Sequence, residues 1–394
     1  MIDFCTERLD LRQRQGNLRQ LAKVDSKIDF ASNDYLGLAR DNEFKQEIIK
    51  SWAACIQMGV GSTGSRLLTG NSTFIENLES FIAAYHDAEA GLIFNSGYSA
   101  NLGLLSTIIN TRDICIYDAH IHASMRDGVR LSKARCLPCR HNDVAHLQMR
   151  LKSAQNKGNR FVCIESVYSC DGSLAPIKEI TQLCLKYKAL LIIDEAHSTG
   201  ITGIGGCGLT VQEECQKHAF ARIHTFSKAI GSFGAIVLGS SILKDYLINF
   251  CRPFIYTTSL PWSNLIAIRE AYRRLPHLDE SRAKLQRLIA YFQIQANSMN
   301  LPIMPSQTPI QSLLIPGNEQ TRKLSSKLSQ RGFDARALLS PTVQKGTERL
   351  RICLHAFNTE DEIDNLLECL KQYYICKNDP KATRSVWSTQ PHKR

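Results

Sequence analysis

Short apolar runs alternate with longer amphipathic stretches through the middle of the chain. The apolar runs have the length and the β-branched residues of buried strands, and the stretches between them have helical spacing, as in IKEITQLCLKYKA. This alternation predicts an α/β layer fold with a largely parallel central sheet. The predicted strands are ICIY (114–117), FVCIE (161–165), LLIID (190–194), IHTF (223–226) and AIVLG (235–239).

The pattern changes from residue 261 onward. Amphipathic stretches at 263–275, 319–332 and 360–374 predict helices, and SLLIP and RLRICL predict strands between them. We interpret this region as a smaller C-terminal α+β domain. The predicted organisation is an N-terminal segment (1–45), a large domain (46–260), the small domain (261–375) and a disordered tail (376–394).

Composition narrows the class of protein. The 394-residue chain has no apolar run near the ~18–20 residues of a membrane helix and no apolar core in its opening segment, so we expect a cytoplasmic protein. Its 14 cysteines are scattered through apolar segments, which is typical of a reducing compartment. The formal charge of +11 fits nucleic acid, anionic small substrates or an acidic carrier protein, but the basic residues are not clustered.

Two strand ends carry residues that suit one cofactor. Asp194 ends an apolar strand, where a carboxylate either caps the next helix or meets a cationic ring nitrogen. Lys228 follows another strand, among hydroxyl residues and glycines; it either extends to solvent or is a nucleophile for Schiff-base chemistry. Pyridoxal phosphate needs both a lysine and a carboxylate, so the pair favours that cofactor over either residue taken alone.

Two further segments add weaker signals. The turn at Asn95, Ser96 and Gly97 precedes a predicted helix, whose N-terminus could bind phosphate or could simply begin a helix. His120 and His122 lie two residues apart after a strand. No further ligand cluster has metal spacing, so no metal site is predicted, and the histidines are either buried structural residues or a surface for stacking on an aromatic ring.

The chain resembles the α-oxoamine synthases, a branch of the fold-type I pyridoxal-phosphate enzymes related to class II aminotransferases. The resemblance extends in family order from about Leu9 to the 360s. It rests on ASNDYLGLA (31–39), GSTGSRLLTGN (61–71), FNSGYSANLGLLS (94–106), HASMRDG (122–128), HND (141–143), ESVYSCDGSLAPI (165–177), DEAHSTG (194–200), TFSKAIGSFGA (225–235), IYTTSLP (255–261) and SPTVQKGTERLRI (340–352). Gln344, Ile75 and Ser232–Gly234 depart from the family pattern.

The resemblance implies a set of site residues. Lys228, His122, Asp194 and His197 are the expected catalytic residues. The expected cofactor-binding residues are Lys228, Gly97, Tyr98, His122, Ser169, Asp194, His197, Thr225 and Thr258, the last acting on the phosphate of a neighbouring subunit. The expected substrate-binding residues are Arg19, Asn33, His122, Thr342 and Arg351, with Arg351 placed best to take the amino-acid carboxylate.

The resemblance also implies a reaction and partners. The resemblance is greatest to the members that condense L-alanine with a pimeloyl thioester to give 8-amino-7-oxononanoate for biotin synthesis. The pimeloyl group is carried by coenzyme A or by an acyl-carrier protein. The expected assembly is a homodimer with its active site at the subunit interface, without nucleic acid or membrane partners. Alternatives are a 2-amino-3-ketobutyrate CoA ligase, a 5-aminolevulinate synthase, a serine palmitoyltransferase and, in a different class, a non-catalytic basic nucleic-acid-binding protein.

Overall fold

The computed structural model of the protein describes residues 2–21, 26–55, 59–154 and 158–378. Its helices are α1 Ile2–Arg14, α2 Asn42–Ala53, α3 Thr73–Tyr85, α4 Gly97–Ile108, α5 Ala123–Leu131, α6 Val144–Ser153, α7 Ile177–Tyr187, α8 Leu209–Gln212, α9 Ser241–Phe250, α10 Arg252–Ile255, α11 Trp262–Arg274, α12 Asp279–Ser298, α13 Asn318–Gln330 and α14 Glu360–Asn378. Short 3₁₀ turns occupy Leu38–Arg40, Ile204–Gly206, Gln216–His218 and Leu275–His277.

The strands follow in chain order. They are β1 Ile28–Asp29, β2 Ala90–Phe94, β3 Ile114–Asp118, β4 Arg135–Cys139, β5 Arg160–Glu165, β6 Leu190–Asp194, β7 Ala219–Thr225, β8 Ala235–Gly239, β9 Ile303–Met304, β10 Ile310–Leu314, β11 Phe333–Asp334, β12 Arg336–Leu338 and β13 Arg349–Cys353. Each strand predicted from an apolar run is present, with bounds that differ by at most four residues at an end. The predicted tail overlaps α14 at 376–378, and its remainder, 379–394, lies outside the described residues.

A seven-stranded sheet in the order β2-β8-β7-β6-β5-β3-β4 forms the centre of the larger part of the chain. The pairs from β7 through β4 are parallel, and β8 runs antiparallel to both of its neighbours. The prediction of an α/β fold with a mostly parallel sheet is therefore confirmed. Parallel strands require crossover connections, which the helices between the strands supply.

The continuous apolar runs are explained by burial of both faces of this sheet. On β6, Ile192 belongs to one apolar cluster, whereas Leu191 and Ile193 belong to another. The same alternation holds on β5, where Phe161 and Val162 enter different clusters. Because successive side chains of a strand point to opposite faces, a strand with helices on both sides has no polar face to show.

The chain divides into two compact units. The smaller contains the described residues of Met1–Ser32, Cys170–Ser173 and Ala283–Arg394, and the larger contains Asn33–Ser169 and Leu174–Arg282. The smaller unit has an antiparallel sheet, β12-β13-β10-β9, and the parallel pair β1-β11. The domain bounds predicted from the sequence stay predictions, because compactness alone does not show which segments fold by themselves.

Two features bear on the environment of the protein. Within the described residues, no helix combines the length and the apolarity needed to cross a membrane. None of the thirteen cysteines whose side chains the structure describes forms a disulfide, although the Sγ atoms of Cys115 and Cys163, on adjacent strands, lie 3.6 Å apart.

A buried histidine pair lies in the larger unit. His86 Nδ1 donates to the Cys207 carbonyl at 2.8 Å, so its Nε2 accepts from the Tyr272 hydroxyl at 2.9 Å. The His224 ring lies 3.9 Å from the His86 ring, and its Nδ1 lies 2.8 Å from Thr199 Oγ1. Burial lowers the pKa of His86 to about 3, and it lowers the pKa of His224 well below the ordinary 6.5. Both rings are therefore neutral in the folded protein.

We expect this pair to make the fold sensitive to acid. Below pH 6.5 the unfolded chain binds protons that the folded chain excludes, so stability is lost as the pH falls through that value. His224→Gln should reduce the slope of unfolding free energy between pH 7 and pH 5 by up to about 1.4 kcal/mol per pH unit. Calorimetric melting across this range measures the slope.

His218→Gln is the matched control, because His218 is exposed in the turn before β7. Equal acid-side slopes in His224→Gln and the wild type would contradict the assignment.

Candidate active site

The predicted cofactor lysine lies beside the end of β7. Lys228 is half-buried three residues after the strand, and its Nζ is 3.4 Å from Oγ1 of Thr225, the last residue of β7. The turn that carries it is fixed by backbone hydrogen bonds, including Gly231 N–H to the Lys228 carbonyl at 2.8 Å. Gly231 has a φ of +65°, a conformation that favours glycine, and an added Cβ would lie 2.7 Å from the Ala39 nitrogen. The small residues after Lys228 are thus needed by the turn.

The predicted cofactor carboxylate ends the neighbouring strand. Asp194 is the last residue of β6 and only 4% exposed. Its Oδ1 accepts the Ala196 N–H at 2.9 Å, and its Oδ2 accepts an N–H from Asn101 at 2.7 Å. The first contact closes a local turn, but the next helical element is the 3₁₀ turn Ile204–Gly206, so Asp194 does not cap a helix. The second comes from α4, 93 positions away in sequence, and holds the carboxylate at the sheet edge.

The start of α4 has the properties of an anion site. Ser96 caps the helix, its hydroxyl accepting the Ser99 N–H at 3.1 Å, so Gly97 and Tyr98 are the first two helical residues. Their N–H groups have no acceptor within the helix. A Cβ at Gly97 would lie 2.5 Å from Cγ2 of Thr225, so this glycine lets the helix start approach the strand that precedes Lys228. Tyr98 is 46% exposed and donates from its hydroxyl to Asp127.

The two predicted imidazoles are each held by a hydroxyl group. His122 precedes α5, and its Nδ1 lies 2.7 Å from Ser124 Oγ. Burial lowers the pKa of His122; Asp194 opposes this shift and Lys228 adds to it. His197 Nδ1 lies 2.7 Å from the hydroxyl of Tyr35, which donates to Asn33 Oδ1 at 3.2 Å. The predicted substrate residue Asn33 is therefore linked to His197 through a buried tyrosine.

The remaining predicted residues fall in two places. In the larger unit, Ser169 follows β5 and donates its N–H to Glu165 Oε2 at 3.2 Å, and the Thr258 carbonyl accepts from Asn95 Nδ2 at 2.7 Å. In the smaller unit, Arg19 donates to Thr342 Oγ1 at 3.3 Å. Arg351 lies on β13, also in the smaller unit. Larger and smaller units thus each contain predicted substrate residues.

Sequence reasoning missed four residues at this site: Asn101, Ser124, Tyr35 and Glu165. Asn101 had a detectable signal, because an asparagine inside an apolar helix is a weak helix former that needs a reason to be there. Glu165 ends an apolar strand in the same way as Asp194, with which it is paired across β5 and β6. Tyr35 and Ser124 gave no signal, because the partners that tie them to the site, His197 and Asn101, lie 162 and 23 positions away.

Glu165 is a second carboxyl at the same sheet edge. It is buried, and burial followed by the negative charge of Asp194 raises its pKa well above the ordinary 4.5. Two adjacent buried carboxyls cannot both ionise cheaply, so Glu165 is the neutral member of the pair. Asp194 is then the carboxylate of this edge that can accept from a cationic partner.

These residues fit a phosphorylated aldehyde with a basic ring. An amine lies beside a threonine hydroxyl and a glycine-led helix start, and a buried carboxylate lies on the adjacent strand. In open α/β sheets, ligands bind at the carboxyl ends of strands, which is where these groups meet. On this sheet, the arrangement defines the fold-type I class of pyridoxal-phosphate-dependent transferases.

Comparisons with known proteins narrow this class. Residues 25–370 match the family model described as aminotransferase class I and II. The chain is 39% identical over 386 residues to an 8-amino-7-oxononanoate synthase from Emericella nidulans, covering 91% of this chain and 93% of that protein. It is 38% identical over 343 residues to one from Lysinibacillus sphaericus, covering 87% of each. The chain belongs to the aminotransferase class I and II family, in its α-oxoamine synthase branch.

Solved structures agree with this placement. A serine palmitoyltransferase from S. paucimobilis with bound PLP and myriocin superposes with a TM-score of 0.86 at 25% identity, covering 98% of both chains. An 8-amino-7-oxononanoate synthase from Francisella tularensis superposes with a TM-score of 0.78 at 28% identity, covering 90% of this chain and all of that one. The fold-type I prediction is confirmed by these neighbours.

Glu165 yields a pH prediction for the site. A carboxyl whose folded pKa is raised stabilises the fold below pH 4.5, and this stability is lost as the pH rises toward the folded pKa. Glu165→Gln keeps the size but cannot ionise, so its melting temperature should fall less than that of the wild type between pH 6 and pH 9. Thermal melting without added cofactor measures this difference.

Glu280→Gln, at an exposed position on α12, is the control and should follow the wild type. If the melting temperatures of Glu165→Gln and the wild type change equally between pH 6 and pH 9, the assignment of a neutral Glu165 is wrong.

Proposed function

We propose that the protein catalyses the pyridoxal-phosphate-dependent, decarboxylative condensation of L-alanine with a pimeloyl thioester to 8-amino-7-oxononanoate, a step of biotin synthesis. The observation that carries the proposal is the pairing of Lys228 and Asp194 at the ends of adjacent strands, in a chain whose relatives at 36–39% identity include 8-amino-7-oxononanoate synthases. The cofactor, when bound, supplies an electron-withdrawing ring that stabilises negative charge at the α-carbon of the amino acid.

The protein's own groups divide the remaining work. Lys228 would hold the cofactor covalently through Nζ, and Nζ, once displaced by the amino group of alanine, would take the proton from the α-carbon of alanine. Asp194 would accept from the ring nitrogen, His197 would bind the ring oxygen, and Ser169 would lie at the cofactor. Phosphate is bound by the N–H groups of Gly97 and Tyr98 and by the Thr225 hydroxyl, groups whose placement at a helix start and a strand end supports this role. His122 would stack on the ring face.

We propose substrate-binding roles for four residues. Arg351 is the proposed partner of the alanine carboxylate, because a guanidinium matches a carboxylate with two parallel hydrogen bonds. The contact between Arg19 and Thr342 supports placing both in one part of the substrate site. Asn33, linked through Tyr35 to His197, is proposed to orient the substrate beside the cofactor. The formal charge of +11 supports an anionic donor such as coenzyme A or an acyl-carrier protein.

A substrate panel tests the proposed reaction. Alanine, glycine and serine are each combined with pimeloyl-CoA, acetyl-CoA and palmitoyl-CoA, and with pimeloyl carrier protein, while thiol release is followed. We expect alanine with a pimeloyl donor to exceed the other pairs by at least about tenfold in kcat/KM. Lys228→Ala should lose the visible-edge absorption of the lysine-bound cofactor and about three orders of magnitude or more of activity.

The panel also separates the alternatives. Similarity to serine palmitoyltransferase structures supports that reaction as the second candidate, which serine with palmitoyl-CoA would reveal. Glycine with acetyl-CoA as the best pair would indicate a 2-amino-3-ketobutyrate CoA ligase. A wild-type protein that remains colourless after incubation with the cofactor would refute every member of this set.

We also propose that the protein acts as a homodimer whose partner completes the site. Three aromatic side chains close in sequence to proposed site residues are exposed in the single chain. They are Tyr98 beside Gly97, Phe233 after Lys228, and Tyr256 before Thr258, and Tyr256 is 72% exposed. Exposed aromatics on functional segments fit burial by a second copy. A cytoplasmic location is proposed from the absence of disulfides among the described cysteines.

Subunit mixing tests the shared site. Lys228→Ala and Thr258→Ala are each purified, mixed and exchanged through mild denaturant. If Thr258 serves the neighbouring subunit, the mixed dimer regains one site with both residues, and activity should rise to about a quarter of that of the wild type when exchange is complete. Sedimentation measures the assembly.

Activity in the mixture that equals the mean of the separate variants would contradict a shared site. A monomer with full activity would contradict the dimer itself.

A further inference from the structure

Asn101 is placed where an asparagine is poorly suited to the helix around it. It lies inside α4, is 2% exposed, and has apolar side chains of the core on either side of it in sequence, such as Ala100 and Leu104. Asparagine is a weak helix former at such a position. Its Oδ1 is buried and accepts no hydrogen bond from the described residues. A leucine would suit the helix better, so the reason for the asparagine lies in what its amide nitrogen contacts.

That nitrogen joins two groups of the proposed site. Asn101 Nδ2 donates to Asp194 Oδ2 at 2.7 Å and to Ser124 Oγ at 3.0 Å. Ser124 is fully buried at the start of α5, and its Oγ lies 2.7 Å from His122 Nδ1. A continuous chain of hydrogen bonds therefore runs from Asp194 through Asn101 and Ser124 to His122.

The direction of each hydrogen bond from Asp194 to His122 follows from which atoms carry a proton. An amide nitrogen only donates, so Ser124 Oγ accepts from Asn101. His122 Nδ1 accepts the backbone N–H of Ser124 at 3.2 Å, so this ring nitrogen carries no proton. The Ser124 hydroxyl proton is then directed to Nδ1. His122 is held as the neutral tautomer with its proton on Nε2, in agreement with the lowering of its pKa by burial.

The helices are built to approach closely enough for this chain. An added Cβ at Gly128 of α5 would lie 3.0 Å from the Asn101 carbonyl oxygen and 2.9 Å from Leu105 Cβ, both on α4. Any larger residue at 128 would push α5 away from α4. The absence of a side chain at Gly128 thus brings Ser124 within hydrogen-bonding distance of Asn101.

We propose that Asn101 and Ser124 are a positioning pair that orients Asp194 and His122 together against the cofactor ring. The proposal rests on the function proposed above. With the Ala196 N–H on Oδ1 and the Asn101 amide on Oδ2, the plane of the Asp194 carboxylate is fixed. Through Ser124, the same amide sets the plane of the His122 ring. Neither Asn101 nor Ser124 needs to touch the substrate.

Cofactor binding and its optical signal test the pair without relying on turnover. Purified full-length protein is stripped of cofactor and titrated with pyridoxal phosphate, and visible circular dichroism records how the bound ring is oriented. Asn101→Leu and Ser124→Ala should each weaken binding by about tenfold and reduce the dichroic band. The value of kcat should fall by about tenfold or more, with the KM for alanine within about threefold of wild type.

Two further comparisons separate positioning from simple stability. The double variant should be less impaired than the two single effects combined, because each single variant already breaks the Asn101–Ser124 hydrogen bond that joins Asp194 to His122. Ser124→Cys, which keeps a weak donor, should fall between Ser124→Ala and the wild type. Ser106→Ala is the matched control, since that hydroxyl lies on the same helix and donates only to the carbonyls of Leu102 and Gly103.

The outcomes are distinguishable. Wild-type cofactor affinity and dichroism in Asn101→Leu and Ser124→Ala, with only a lower melting temperature, would overturn the proposal. If the wild type itself binds no pyridoxal phosphate, the proposed function fails as well. If the wild type binds and condenses normally while the variants match it, only the positioning role fails.

Discussion

The rest of the site depends on placing the Asp194 carboxylate at the buried edge of a sheet. A charge in that position is tolerated only when hydrogen-bond donors replace water. The Ala196 N–H and the Asn101 amide do so at 2.9 and 2.7 Å. Burial and the negative charge of Asp194 together raise the pKa of Glu165, and the same charge opposes the lowering of the His122 pKa by burial. Asp194 therefore contributes to the electrostatics of two neighbouring groups.

The parallel sheet explains why chemically different groups meet at this edge. Strands β5, β6 and β7 are adjacent and parallel, so their carboxyl ends lie side by side. The residues that follow those ends, together with the starts of α4 and α5, supply the amine, the carboxylate, the imidazoles and the helix N-terminus. The two glycines also shape this edge of the sheet. Gly97 lets the start of α4 approach Thr225 of β7, and Gly128 lets α5 approach α4, where a Cβ would be in the way.

Much of this arrangement was predictable from the sequence, and the exceptions have a common cause. Continuous apolar runs predicted the central strands, because burial on both faces leaves no polar period. The strand ends predicted Lys228 and Asp194, and the family resemblance predicted His122 and His197. Asn101 was missed although it lies within a quoted motif, because its partners Asp194 and Ser124 are 93 and 23 positions away.

The sequence by itself determined the strands, the residues that end them and the family to which the chain belongs. These follow from local patterns of apolar and polar residues and from short motifs read in order. Only the tertiary structure decided which strand ends are neighbours, which donors hold Asp194, and which imidazole nitrogen of His122 carries the proton. Those properties depend on distances of about 3 Å between segments far apart in the chain, where a hydrogen bond is gained or lost.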